Sequence, residues 1–447
     1  MKNKLSKAGI LLSALVLVLF VFSCAIWTGG SDSGTISLSF SPSSKALGTG
    51  ATEARVWVYS NNVLVPNPAN SDGYYSASIG SGATEATITI SDLPPGDSYR
   101  IVVAAFKPVE TTTTVTAFGT SPLFGVRAGV ETGVELTLKE INIAVPTPQI
   151  KNLVSVVCDG STITAASGSA LYSGGSVTEL TKASWPTPTK GTINSLNLTA
   201  DQSPVVLVNT TNGIYNTTQI PIGGSWGSGG APSVLQSGGI SPDIFFYQSE
   251  KEIGGYVGGN EWNRIKLDIP VAGKPILDLL VWKKDDKIYG YFATRVVGAF
   301  RVGSSDIEAL KLEDILSGNE NSPIIFFGES LPLIQAFGYI GETDLYLGTK
   351  SGVYKTNINT PKTSYPELIV GTKGLDVTKI VVQGSGTNAV EAFLTAKEIV
   401  ILKDSNVYKM PFLTSVVGTI TDVAWKGTDL IVVGTNGICS VPTADLK

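Results

Sequence analysis

The stretch Leu345-Tyr346-Leu347-Gly348-Thr349-Lys350-Ser351-Gly352-Val353-Tyr354 recurs along the chain. Leu207-Val208-Asn209-Thr210-Thr211-Asn212-Gly213-Ile214-Tyr215 and Ile431-Val432-Val433-Gly434-Thr435-Asn436-Gly437-Ile438-Cys439 are close copies. Weaker ones centre on Ala170-Leu171-Tyr172, Gly255-Tyr256-Val257, Gly298-Ala299-Phe300 and Asn406-Val407-Tyr408. The small residue of each copy falls at 170, 213, 255, 298, 352, 406 and 437, a mean spacing of 44.5. A four-stranded blade takes roughly 40–50 residues. Apolar runs lie upstream of most turns: 153–157, 193–198, 276–282, 333–337, 377–382 and 420–425. Each reads as an inner strand buried between neighbours, and Gly-Thr permits a tight reversal into the next strand. Residues 141–447 are therefore expected to form a self-contained seven-bladed β-propeller. Ile141–Val145 would supply the strand that the last blade lacks, because an open edge leaves backbone groups unpaired.

The pattern Leu345-x-x-Gly348-Thr349-x-x-Gly352-Val353-Tyr354 resembles the regulator-type propeller repeat, which implies the fold and no catalytic residues. Upstream, residues 35–140 contain about seven strand-like runs separated by Gly, Pro, Asn and Asp, as in a β-sandwich. Leu93-Pro94-Pro95-Gly96-Asp97-Ser98-Tyr99-Arg100-Ile101-Val102-Val103-Ala104 resembles a hairpin of Ig-like and fibronectin-like modules. The fold class is thus all-β: an N-terminal β-sandwich followed by a seven-bladed β-propeller.

The first 23 residues have the plan of an export signal. Lys2, Lys4 and Lys7 precede the charge-free run Ala8–Phe22, which ends in Ser23-Cys24. Fifteen residues are short for a span of about 20. Val21-Phe22-Ser23-Cys24 resembles the relaxed signal of spirochaete lipoproteins. The resemblance implies lipidation of Cys24 and anchoring in the cell envelope, at the outer membrane in preference to the inner, facing periplasm or surface. Residues 24–34, rich in Gly and Ser, form a flexible tether.

Composition narrows the function. The chain has 32 basic and 37 acidic residues, and losing three lysines with the signal makes it more acidic still. No basic stripe is present to bind a polyphosphate backbone, so nucleic acid is not an expected partner. Histidine is absent, which excludes a Ser-His-Asp triad and His-ligated zinc. No cofactor or metal is implied. Asp243, Asp278, Asp422 and Glu329 could serve a glycosidase but sit in no diagnostic motif. Trp226, in a Gly-Ser loop, together with Trp185 and Trp262 near strand edges, are candidate ligand contacts, while Trp282 and Trp425 end apolar runs and read as core. Cys158 and Cys439 are either a disulfide stapling the ring or two buried thiols. Non-catalytic binding of an envelope protein or glycan by the propeller, with the sandwich as spacer, is the leading reading. A scaffold in an envelope assembly is the second and a glycan-cleaving enzyme the third. Oligomeric state is left open.

Overall fold

The computed structural model describes residues 33–42, 50–80, 82–109, 112–199, 203–222, 232–241, 244–250, 252–257, 260–261, 265–266, 276–284, 287–295, 298–303, 325–327, 331–340, 343–358, 366–384 and 389–446. Cys24, Trp226, Trp262, Asp243 and Glu329 lie outside them.

From residue 153 onward, seven antiparallel sheets follow one another in sequence order. Their first strands begin at Leu153, Ile193, Gln236, Ile276, Ile334, Val377 and Ile420. Each first strand contacts the next, and the last (Ile420–Lys426) returns to the first (Leu153–Cys158), so the ring is closed. This is the expected seven-bladed β-propeller.

Seven apolar clusters fill the seven inter-blade gaps. Period-two alternation directs neighbouring residues to opposite gaps. Thus Leu279 packs with Phe246 and Ile253 of blade 3, while Trp282 packs with Phe337 and Leu347 of blade 5. Ile438 meets blade 1, and Cys439 points the other way, toward blade 6. Fully burying one such side chain contributes about 1.5–3 kcal/mol.

The recurring threonine has a mechanical role. Thr210 Oγ1 donates to the Gly213 carbonyl at 3.0 Å and accepts the Asn212 amide at 3.0 Å. Thr349 does the same with Gly352 and Ser351, at 2.9 and 3.0 Å. Thr294 bonds Gly298, and Thr395 bonds Glu398. The hydroxyl locks the reversal between second and third strands, and Gly352 there has φ +134°.

Two copies of the repeat are shifted from their expected register. In blade 6 the third strand is Ile399–Lys403, and Asn406–Met410 is the fourth. In blade 3 the third strand starts at Glu252, so Gly255 is mid-strand.

The N-terminal module is a nine-stranded β-sheet structure. Its strands are β1 (Gly34–Pro42), β2 (Glu53–Ser60), β3 (Val63–Val65), β4 (Tyr75–Ser78), β5 (Ala86–Leu93), β6 (Gly96–Val109), β7 (Thr112–Thr120), β8 (Phe124–Val126) and β9 (Glu131–Glu140). The order is β3-β2-β6-β7-β9-β1-β5, with β4 beside β2 and β8 beside β6. Ile36, Leu38 and Phe40 of β1 face Val56, Val58, Ile101 and Val103 across one core. Tyr99 is the fourth residue of β6, and its hydroxyl donates to the Pro94 carbonyl.

The module is not a free spacer. The opposite face of β2, β6 and β7 presents Trp57, Tyr59, Val102, Ala104, Phe106, Val115 and Phe118. These share one core with Leu394, Ile399, Met410, Phe412 and Leu413 of the propeller. Phe118 and Phe412 pack with ring centroids 5.4 Å apart. The sheet formed by β2, β6 and β7 is therefore buried on both faces, one of them against the propeller.

Closure of blade 7 is economical. That sheet has three strands of its own. Ala144 and Ser440 exchange backbone hydrogen bonds of 3.1 and 2.9 Å as a single antiparallel bridge. Gln149 Oε1 accepts the Ile438 amide at 3.1 Å, and Pro442 has no N–H to satisfy. The outer edge is thus capped by one bridge, one side chain and one proline, where a full fourth strand was expected.

Candidate functional site at the loop end of the propeller

In every blade the first strand starts, the second ends and the third begins at the same end of the ring. The connections between blades and the threonine-locked turns gather at this loop end.

A second repeat marks it. Leu153-Val154-Ser155-Val156, Ile193-Asn194-Ser195-Leu196, Val234-Leu235-Gln236-Ser237, Ile276-Leu277-Asp278-Leu279, Ile334-Gln335-Ala336-Phe337, Val377-Thr378-Lys379-Ile380 and Ile420-Thr421-Asp422-Val423 occupy equivalent places. In six blades a register shift sits between the first and third of these residues. A bulge frees a backbone amide that the ladder would otherwise pair. The preceding blade captures it. Asp422 Oδ2 accepts the Val156 amide at 3.0 Å. Ser155 Oγ accepts the Leu196 amide at 3.0 Å. Gln236 Oε1 accepts the Leu279 amide at 3.2 Å, and Asp278 Oδ2 the Phe337 amide at 2.7 Å. The bulged side chains reach the same way, with Thr421 donating to the Leu153 carbonyl at 2.8 Å and Gln335 to the Val377 carbonyl at 3.4 Å.

These contacts tie blade to blade around the axis. Asp422 also accepts from Ser155 Oγ at 2.6 Å and pairs with Lys379. Asp278 accepts from Gln236 Nε2 at 2.9 Å. Burial pushes the Asp278 carboxyl above the usual range, opposed by the Phe337 and Gln236 hydrogen bonds and the charge of Lys379. Both acids are engaged in holding inner strands together. The Lys379 side chain is 37% exposed and is the cationic member of the set.

The N-terminal module docks at this same end. Asn61 and Asn62 form the β2–β3 turn with φ of 51° and 66°, matching a type I′ hairpin. Asn62 Nδ2 donates to the Lys373 carbonyl at 3.3 Å, in the connection into blade 6. Tyr59 donates to Glu398 Oε2 at 2.5 Å, in the turn of blade 6. Lys409 Nζ lies 3.0 Å from Glu398 Oε1, donates to the Asn62 carbonyl at 3.3 Å and sits 4.4 Å from the Tyr59 ring centroid. Arg55 donates to Ser415 Oγ at 2.8 Å in the connection into blade 7 and stacks on Phe106 and Tyr74. Burial, then the Glu398 carboxylate, raises the Tyr59 hydroxyl well above its ordinary range.

Trp185 does not line a surface. It is 4% exposed, donates from Nε1 to the Gly191 carbonyl at 2.9 Å and packs edge-on against Tyr215 in the blade 1–2 core. Trp282 is core as expected, and Trp425 donates to the Val381 carbonyl at 3.2 Å, joining blades 7 and 6.

Cys158 and Cys439 are free thiols. Cys158 packs at the blade 7–1 gap, and alternation turns Cys439 into the core shared with blade 6 and the N-terminal module. A disulfide would need both on one face. Burial pushes the Cys158 thiol up to about 12 and raises that of Cys439 further.

No family model matches the chain, and no curated protein matches it. Among solved structures it is similar to virginiamycin B lyase from Staphylococcus aureus, with 12% identity and a TM-score of 0.49 over 68% of this chain and 98% of that one. It is similar to PorZ, a surface component of the type-IX secretion system of Porphyromonas gingivalis, with 12% identity and a TM-score of 0.47 over 83% and 60%. The extracellular domain of the one component system BT4673 from B. thetaiotaomicron matches with 12% identity and a TM-score of 0.44 over 68% and 39%. At such identities and scores no activity is carried over, and the propeller assignment rests on the seven sheets themselves.

Proposed function

We propose that this is a lipid-anchored, exported binding protein whose propeller engages an envelope protein or glycan through its loop end. The observation that carries this is the docking of the N-terminal module onto blade 6 and its flanking connections at the loop end. Hinged motion between the modules is suppressed, so the described connections into blades 6 and 7 and the N-terminal module present one fixed surface. Binding to a preorganised surface avoids much of the ordering cost that weakens association. The role is non-catalytic, since Asp278 and Asp422 serve as inter-blade fasteners. Trp226, which follows blade 2 in the sequence, would add an aromatic contact.

Anchoring is tested by fractionation. Cys24→Ala should move the protein from membranes to the soluble fraction or stall the uncleaved precursor. Unchanged lipid labelling of that variant would refute the anchor. Ligand class is tested by retention of envelope extract on immobilised protein, before and after enzymatic deglycosylation of the extract. No saturable retention in either case would refute binding. The rigid two-module body also supports the second reading, a scaffold in an envelope assembly, for which stable co-purification with membrane β-barrel proteins is the expected signature.

A further inference from the structure

The outermost strand of the N-terminal module, β5, ends the sheet on the side away from the propeller. It pairs with β1 from Phe40↔Ala86 to Ile36↔Ile90. Among the described residues, nothing pairs with the backbone of Ala86–Ser91 on its other side. Exposed edges of this kind are normally blunted by lysine, proline or shortness. β5 has eight residues, Ala-Thr-Ile-Thr-Ile-Ser-Asp-Leu, with neither lysine nor proline. Thr87 and Thr89 are exposed, while Ile90 and Leu93 are buried. Ala86, Ile88, Tyr75 and Ala77 lie only partly buried at the rim of the core, and β4 runs close to β5 without pairing. The rim therefore offers both a backbone ladder and apolar side chains.

Charge selects the occupant. The uncharged run Ala86–Ser91 is bracketed by Glu85 and Asp92, both exposed. If β5 of a second copy paired antiparallel about the centre of this run, Glu85 of one chain would lie within one residue of Asp92 of the other, gathering acids at each end of the ladder. Like charges so close are destabilising. A strand with basic residues at both ends would pair with both acids.

We propose that β5 is a strand-addition site for an extended segment of a partner polypeptide with an uncharged β-branched centre and basic flanks. This surface is separate from the loop end, so either can fail without the other. The probe is a capped synthetic octapeptide with a six-residue centre alternating valine and threonine and lysine at each end, and a control with glutamate at each end. Full-length protein in detergent should bind the lysine peptide at least tenfold more tightly at low salt. Amide exchange should slow within Ala86–Ser91. Glu85→Lys should reduce or reverse the preference, and Thr89→Lys should abolish binding with unchanged circular dichroism. Equal binding of both peptides, or no slowing within Ala86–Ser91, would overturn the proposal. So would self-association in sedimentation that Thr89→Lys abolishes, since the occupant would then be a second copy.

Discussion

Lys409 is fully buried, and its only carboxylate partner among the described contacts is Glu398, 7% exposed. Replacing Lys409 with Met removes the charge and leaves the Glu398 carboxylate in the inter-module core, bonded to Tyr59 alone. Breaking a buried pair from one side typically costs about 3–5 kcal/mol, because one charge stays uncompensated. Replacing the pair with apolar residues can be neutral or better. Lys409→Met/Glu398→Leu should therefore be less damaging than Lys409→Met. It still orphans the Tyr59 hydroxyl, which costs about 1–3 kcal/mol. Adding Tyr59→Phe should bring the triple variant within about 1 kcal/mol of wild type. Urea unfolding followed by tryptophan fluorescence reads this directly, because Trp57 belongs to the same core. A loss below about 1 kcal/mol for Lys409→Met would refute the reasoning, as would a triple variant no better than the single.

Three further outcomes follow from the same structure. The Tyr59 hydroxyl is raised above its ordinary range, so its stabilising contribution is full below about pH 10 and is lost as pH rises through the folded value; Tyr59→Phe should flatten the alkaline fall in stability, and an unchanged fall would contradict this. With the Cys158 thiol near 12 and Cys439 fully buried, iodoacetamide at pH 8 should label neither in the native protein and both after unreduced denaturation. Native labelling, or no labelling after denaturation, would argue against two shielded free thiols, Cys158 partly and Cys439 fully buried. Asp422→Ala orphans the Val156 amide and the Ser155 hydroxyl and should cost about 2–4 kcal/mol in urea melts, against about 1–2 kcal/mol for Thr349→Val, which loses two neutral turn hydrogen bonds.

The propeller was legible because its turns demand particular residues. A hydroxyl that locks the reversal and a glycine at positive φ leave a visible Thr-x-x-Gly signature. Blade 6 hid its register because Glu398 stands where glycine is usual and is used against Tyr59. Its next turn, Asp404-Ser405, has φ of 51° and 63° and imitates the missing one. The axial repeat was present in five of the seven blades as apolar-x-polar-apolar. It was overlooked because the polar residue interrupts the very apolar run that marks an inner strand. Docking was half legible. Ile101-Val102-Val103-Ala104-Ala105-Phe106 is too apolar for a strand with one wet face, but nothing local names Phe412 or Glu398 as its cover. Trp185 looked exposed among Pro186, Pro188 and threonines, and only tertiary packing against Tyr215 buries it.

The loop end as the binding face is tested most directly by photo-crosslinking in native membranes. A photoreactive residue is placed at Thr189, Lys350 or Asp376 on the loop end, and at Ser161 or Asp404 on the opposite end, all exposed positions. A common adduct from the first three positions and none from the other two is expected. Adducts confined to Ser161 and Asp404, or equal from both ends, would contradict the assignment.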